Sequence, residues 1–328
     1  MSYYFPKHIT SYTGGMKLVI QIEHLTKRYK DKVAVNNVSL HIKEGEVYGI
    51  IGPNGAGKTS AIKSISGIAQ FDSGQITIFK KDIQKHGIEI RKQIGVVPQE
   101  IAIFEDLTAY ENVQFFGKLY GLRGKQLRDK VKQALEFTGL YEKRKNLPKT
   151  FSGGMKRRLN IACSIVHEPK LLVMDEPTVG IDAQSRNHIL SSIKKLNEQG
   201  TTIIYTSHYM KEVEEICTRI CILDHGVIKL EGSYDEIKND VFLGQKIIFT
   251  LSETNPKILN DIKETPKIDS CEFVDGNLVV TCKNTNGENL GTIISIVTSY
   301  GIEITNIDIE EVSLEGVYLK ITGEGIRD

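Results

Sequence analysis

The segment Gly52-Pro53-Asn54-Gly55-Ala56-Gly57-Lys58-Thr59 has the spacing G-x-x-x-x-G-K-[ST], which can enclose a polyphosphate when it follows a strand and opens a helix. Its small residues let backbone N–H groups close around phosphate oxygens, while Lys58 brings a compact positive charge to the β and γ phosphates. Thr59 is placed to hold Mg²⁺, and Ser60 lies near the α-phosphate. Further on, Asp175 and Glu176 are adjacent carboxylates at the end of the apolar run 171–174. Successive side chains of a strand point oppositely, so the two acids can differ in task. Asp175 would serve Mg²⁺, directly or through water, and Glu176 would position or deprotonate the water that attacks the γ-phosphate. A glycine-rich turn or a solvated strand end would explain either segment alone; their combination points to hydrolysis of a nucleoside triphosphate.

A third segment, Phe151-Ser152-Gly153-Gly154-Met155-Lys156-Arg157-Arg158-Leu159, offers a polar, close-approach turn at a helix start, suited to a second phosphate as well as to simple capping. Here the sequence resembles the ABC ATPase signature, upstream of Asp175 as in that family. The resemblance implies that Ser152, Gly153 and Gly154 reach the γ-phosphate of an opposite subunit, so that two ATP molecules are sandwiched in a head-to-tail dimer. Met155 stands where the family often has Gln, and Phe151 where it often has Leu; neither removes a phosphate donor. Tyr29, before Val33-Ala34-Val35, is similar to the aromatic that stacks on adenine. Gln99, after Val97-Pro98, is similar to the metal- and water-sensing glutamine. Asp182 matches the aspartate that crosses the dimer, a role compatible with capping a helix from Ala183. His208, after Thr206-Ser207, matches the histidine that contacts the γ-phosphate. The resemblance thus makes Lys58, Glu176 and His208 catalytic and gives Thr59, Gln99 and Asp175 to the metal. It assigns nucleotide binding to Tyr29, Gly52, Pro53, Asn54, Gly55, Ala56, Gly57, Lys58, Thr59, Ser60, Gln99, Ser152, Gly153, Gly154 and Asp182.

Holding these residues in place requires alternating elements. Strand-like runs at 18–22, 38–42, 47–51 and 75–79 surround a helix from Lys58 to about Gly67, and helical spacing governs 108–140, with Leu127, Val131, Ala134 and Leu135 at three- and four-residue steps. Helices at 153–167 and 183–198 then alternate with strands at 170–174, 201–206 and 219–223, which argues for a mostly parallel sheet. The expected fold is α/β, a P-loop NTPase core of ABC ATPase type with an antiparallel β subdomain and a helical insert, plus a small C-terminal α+β domain. We place an N-terminal extension at 1–17, the nucleotide-binding domain at 18–240 with its insert at about 100–165, and a ferredoxin-like accessory domain at 241–328.

Bulk properties narrow the partners. Lys and Arg total 42 against 41 Asp and Glu, so no global charge recruits nucleic acid or an anionic membrane. The five cysteines lack a C-x-x-C pair and sit mostly in apolar runs, which suits buried side chains in a reducing compartment; Cys217, Cys221 and His225 lack a fourth metal ligand. No apolar run approaches the roughly 20 residues of a membrane-spanning helix, and residues 1–15 have no apolar core of a secretory leader. The ending 312–323 resembles the S-L-E-x-V-F-L-x-L-T-G close of ATPase subunits of ABC-2-type exporters, and 107–112 resembles the opening of their insert. What this resemblance implies is a dimer or pseudo-dimer of ATPase subunits on the inner, cytoplasmic face of the membrane, driving a separate integral membrane permease, with ATP and Mg²⁺ as cofactors and no nucleic acid partner. A non-transport ABC clamp on the ribosome or nucleic acid is the alternative. It is disfavoured by the single phosphate loop and by the lack of sustained heptads between Thr59 and Ser152.

Overall fold

The computed structural model describes residues 17–240, 245–266, 268–282, 288–310 and 313–322. All of the expected N-terminal extension except Lys17 lies outside the described residues, as do Val312 and Gly323 of the C-terminal motif. The described chain forms two compact units that divide between Tyr234 and Asp235.

In the first unit, β1 (Leu18–Tyr29) and β2 (Lys32–Lys43) pair as a long antiparallel hairpin, followed by β3 (Val47–Ile51) and α1 (Lys58–Ile65). Next come β4 (Ser73–Ile78), the two-residue β5 (Lys81–Asp82), α2 (Ile83–Arg91) and β6 (Ile94–Val97). Three helices follow, α3 (Ala109–Leu119), α4 (Gly124–Phe137) and α5 (Gly153–Ile165). The unit closes with β7 (Leu171–Asp175), α6 (Ala183–Glu198), β8 (Thr202–Ser207), α7 (Met210–Ile216), β9 (Arg219–Asp224) and β10 (Val227–Gly232).

Two sheets share the core. In the order β10-β9-β3-β8-β7-β6, all neighbours pair in parallel except the edge strand β10. Every residue of β3, β7 and β8 is buried, the signature of parallel strands covered on both faces. The second sheet, β2-β1-β4-β5, is antiparallel and half-exposed. Its Ile20, Ile22, Leu40 and Ile42 pack with Tyr48, Ile50, Val173 and Ile204 of the parallel sheet and with Ile62 and Ile65 of α1.

The helical segment is fixed at its start by a capping box, Thr108 accepting from the Glu111 N–H while the Glu111 carboxylate accepts from the Thr108 N–H. Buried Asn112 braces the preceding loop by donating to Phe104 O at 2.9 Å and Leu107 O at 2.9 Å.

The second unit contains β11 (Gln245–Leu251), α9 (Ile258–Lys263), β12 (Ile268–Val274), β13 (Asn277–Cys282), α10 (Glu288–Ser299) and β14 (Ile304–Glu310), after α8 (Tyr234–Asp240) at the division and before α11 (Leu314–Thr322). Its strands run antiparallel in the order β12-β13-β11-β14, a βαββαβ connectivity of the split βαβ type. Ile247, Phe249, Leu278 and Val280 of the sheet meet Ile258, Ile262, Ile293 and Val297 of the helices in a separate core.

Candidate functional site

Strand register assembles the site. Ile51 pairs with Ser207 and Asp175 pairs with Thr206, so the C-terminal ends of β3, β7 and β8 lie side by side. Ligands of open α/β sheets bind at such strand ends. The loop from Gly52 leaves β3 and turns into α1 at Gly57, whose φ of 109° is left-handed. A Cβ on Gly57 would stand 2.2 Å from the Ala34 carbonyl oxygen of β2, so only glycine lets the loop press against that strand. Beside it, Gly226 N donates to Ala56 O at 2.8 Å from the β9–β10 turn, which itself packs against Ala34. The loop is thereby tied to both β2 and that turn, with Asn54 and Gly55 exposed at its mouth.

Lys58 is buried, and its ammonium donates to Gly52 O at 2.8 Å and Pro53 O at 3.1 Å while lying 3.0 Å from Glu176 Oε1. These three partners match its three donors. Glu176 is also buried and adopts φ 46°, an uncommon conformation for a non-glycine residue that turns the chain sharply after β7. Its other oxygen, Oε2, lies 3.3 Å from His208 Nδ1, which has no aligned hydrogen-bond partner. Thr206 sits beneath both acids: its hydroxyl donates to Asp175 Oδ1 at 2.7 Å and accepts from Glu176 N at 2.9 Å. The Thr59 hydroxyl, one residue past Lys58, makes no hydrogen bond among the described residues.

The remaining expected residues form a second assembly. Ser152 caps α5, its hydroxyl accepting from Met155 N at 3.3 Å. Asp182 caps α6, accepting from Ser185 N at 2.8 Å, and its hydrogen bonds with Ser185 hold its carboxyl below the usual range. The two caps touch: a Cβ on Gly154 would stand 2.0 Å from Ser185 Oγ and 3.3 Å from Asp182 Oδ2. Among the described residues, no hydrogen bond or ion pair joins Ser152, Gly154 or Asp182 to Lys58, Glu176 or His208. Gln99 is exposed just past β6, and Tyr29 is 46% exposed at the end of β1 with Lys27 Nζ 4.7 Å from its ring centroid.

Sequence reasoning missed Thr206, Arg157 and Glu212. Arg157 is buried on α5 and donates to Pro98 O at 2.7 Å and Gln99 O at 2.6 Å, tying the backbone of the Gln99 loop to the helix that Ser152 begins. Burial lowers the pKa of this guanidinium. Glu212 accepts three side-chain hydroxyls, one of them from Ser207 beside His208. A signal for it existed: Tyr209, Glu212, Val213 and Ile216 fall at i, i+3, i+4 and i+7, so a carboxylate occupies the apolar face of a helix and needs buried partners.

Comparisons with known proteins agree with this geometry. The ABC transporter family model matches residues 35–179. The chain is 41% identical over 311 residues to the linearmycin resistance ATP-binding protein LnrL of Bacillus subtilis, covering 94% of this chain and 100% of that one. It is 30% identical to the daunorubicin resistance ATP-binding protein DrrA3 of Streptomyces coeruleorubidus, covering 94% and 97% of the two chains. With the Nod factor export ATP-binding protein I of Cupriavidus metallidurans it shares 31% identity, over 95% and 100%. Among solved structures, the ATP-binding subunit of an ABC transporter superposes with a TM-score of 0.63 at 27% identity, covering 68% of this chain and 92% of that one. A dimeric bacterial ABC transporter cassette superposes at 0.61 with 28% identity, covering 65% and 98%. With its phosphate loop, its paired acids and relatives that match almost end to end, the chain belongs to the ABC transporter family as one of its ATP-binding proteins.

Proposed function

We propose that this chain is the ATP-binding and ATP-hydrolysing subunit of an exporter, acting through a separate integral membrane permease by closing as a dimer on two ATP molecules. The observation that carries the hydrolytic half is the Glu176 carboxylate, buried between Lys58 Nζ at 3.0 Å and His208 Nδ1 at 3.3 Å. The transport half is supported by relatives named for drug resistance and for Nod factor export. Among the described residues no helix is long and apolar enough to cross a membrane, which is consistent with a partner that supplies the path. That partner would hold the chain at the inner face of the membrane.

In this reading Lys58 exchanges Glu176 for the β and γ phosphates, and the released carboxylate orients the attacking water. His208 stands across the same carboxylate and contacts the γ-phosphate. The Ser152–Gly154 turn and Asp182 serve the ATP of a second copy, a role supported by a related cassette solved as a dimer with ADP and Pi. Tyr29, exposed at the end of β1, stacks on adenine. The Thr59 hydroxyl and Asp175, which keeps one oxygen outside its bond to Thr206, are hard oxygen donors that would hold Mg²⁺, with the Gln99 amide oxygen as a further donor. The ion would neutralise charge on the transferring phosphoryl group.

The test has two arms. Phosphate release by the purified chain is compared with that of Glu176→Gln, which should lose turnover yet keep ATP in a stable dimer; a variant hydrolysing at the parent rate overturns the hydrolytic assignment. The tagged chain is also isolated from cells under mild detergent. A polytopic membrane protein should accompany it, whereas recovery with ribosomes overturns the transport assignment.

A further inference from the structure

Glu212, on α7, is buried to within 4% exposure, and nothing in the hydrolytic scheme above uses it. Its Oε2 accepts from Thr178 Oγ1 at 2.7 Å, from Tyr205 OH at 2.7 Å and from Ser207 Oγ at 3.2 Å. Its Oε1 lies 3.1 Å from Arg186 Nε without hydrogen-bond alignment. Thr178, Tyr205 and Ser207 are themselves almost wholly buried, so water does not compete for these bonds. One carboxylate thus gathers hydroxyl donors from two stretches of chain and a guanidinium from a third.

Each stretch leads to a residue of the site. Thr178 lies two residues after Glu176, across the turn closed by Val179 N on Glu176 O at 3.4 Å. Ser207 immediately precedes His208 and also accepts from Tyr209 N at 2.9 Å, which fixes the turn that carries the imidazole. Arg186 is one helical turn past Asp182 on α6, and its guanidinium stacks 5.0 Å over the Tyr209 ring. A buried carboxylate with one aligned oxygen and one charge partner favours a single arrangement of these groups, because losing any donor leaves a charged oxygen undersolvated.

We propose that Glu212 is a positioning residue that sets Glu176 against His208 and locks that pair to the helix that Asp182 begins. The 3.3 Å approach of His208 Nδ1 to Glu176 Oε2 lacks a hydrogen bond of its own; Lys58 and Thr206 hold Glu176, and the bracket from behind fixes the turns on which both side chains stand. Through Arg186 the same carboxylate reports the position of α6 to the hydrolytic pair. This assignment rests on the ATPase reading above.

The experiment measures kcat per nucleotide-binding site, KM for ATP, ADP affinity and melting temperature for the full chain, Glu212→Gln, Thr178→Val and Ser207→Ala. Glutamine keeps the shape but turns an NH₂ or a single acceptor toward groups that need a carboxylate. A misplacement near 1 Å lowers kcat by on the order of 100-fold, and that is the loss expected for Glu212→Gln. KM for ATP and ADP affinity should stay within about two-fold, because binding runs through the phosphate loop. Thr178→Val and Ser207→Ala remove one donor each, fold even if Glu212→Gln does not, and should each lower kcat. Combined with Glu212→Gln, each should cost less than it does alone. A purely structural Glu212 would lower the melting temperature and the fraction of active sites while leaving kcat per site at the parent value, and that result overturns the proposal, as does full additivity of the three changes. If the parent chain hydrolyses ATP and the variants match it, only the Glu212 assignment falls; if the parent itself does not hydrolyse ATP, both readings fall.

Discussion

Replacing Glu176 with glutamine should tighten ADP binding as well as stop hydrolysis, and the first effect tests the ion pair directly. Lys58 has all three of its donors engaged, and among the described residues its one charged partner is Glu176 Oε1 at 3.0 Å. A phosphate that recruits this ammonium must therefore displace or share with the carboxylate. At an effective dielectric constant near 20, two charges at that distance attract by roughly 5 kcal/mol. Desolvating each buried ion costs several kcal/mol, so the net pair is worth far less, on the order of 1–2 kcal/mol. Glutamine keeps the volume and one acceptor but removes the charge, which leaves Lys58 freer for the diphosphate by about 1.4 kcal/mol, or ten-fold in affinity. ADP is the right probe because it reaches Lys58 through its β-phosphate and has no γ-phosphate to recruit a second subunit. Calorimetric titration of ADP with Mg²⁺ into parent and Glu176→Gln proteins reads the difference. The protein without added nucleotide should melt lower in the variant, since Lys58 stays buried with only carbonyl partners, and ADP should raise its melting temperature more than it does the parent's. Because both groups are nearly inaccessible, the ten-fold gain should persist at high salt, where a surface pair would be screened. An ADP affinity equal to or weaker than the parent's refutes the competition between Glu176 and phosphate.

Two other expectations follow from particular contacts. Gly154→Ala places a methyl group 2.0 Å from Ser185 Oγ and must push α5 from the cap of α6; ATP-dependent dimer formation by light scattering and steady-state hydrolysis should both fall at least ten-fold, by about 1.4 kcal/mol or more, while ADP affinity stays at the parent value. Burial pulls the His167 imidazole down to about 4, so above pH 6.5 it is neutral in both folded and unfolded chains and its contribution to stability is fully present. As pH falls from 6.5 toward 4, the unfolded chain takes up a proton that the folded chain refuses, and stability drops with a slope approaching 1.4 kcal/mol per unit, about 3 kcal/mol in all. His167→Phe can keep the ring stacked on Tyr120 at 3.5 Å yet cannot titrate, so its acid limb in urea melts should be shallower than the parent's; an unchanged slope contradicts the assignment.

Much of the ATP-binding core is legible in the chain because its chemistry and its fold are written in the same residues. The loop 52–59 needs glycine for backbone contact and lysine for charge, and the buried strands β3 and β7 read as unbroken apolar runs that deliver the loop and the acids. What escaped is of two kinds. Short elements such as β6, α2 and α7 carry too few residues for their period to stand out, and α2 is interrupted by non-helical backbone at His86. In the second unit, β12 shows three exposed residues among its first five and no clean alternation, because it is an edge strand whose register against β13 shifts between Ile268 and Ser270. Thr206 and Arg157 act through partners some 30 or more residues away, and Glu212 joins Thr178, 34 residues off, to Tyr205 and Ser207 across the turn that precedes its helix; no local pattern encodes which carbonyl or hydroxyl these side chains meet.

Those same long-range bonds determine how the two assemblies can communicate. Ser152 begins α5 and Arg157 lies five residues along it, about 7 Å up the axis, so the phosphate-facing turn and the guanidinium that grips the Gln99 backbone are parts of one rigid rod. Asp182 begins α6, and Arg186 one turn later reaches the Glu212 carboxylate behind Glu176 and His208. Gly154 packs where a methyl group would collide with Ser185, so the starts of the two rods move together. In the proposed dimer, a phosphate drawn to Ser152 from a second subunit would pull on both rods at once, and each would deliver the displacement to a different part of the site: α5 to the loop of Gln99, α6 to the Glu176–His208 pair. Charge-assisted bonds in a dry interior suit this purpose, since they resist small displacements more steeply than apolar packing, which slides. That is a physical reason for a chain with ample apolar residues to keep Arg157 and Glu212 buried at all.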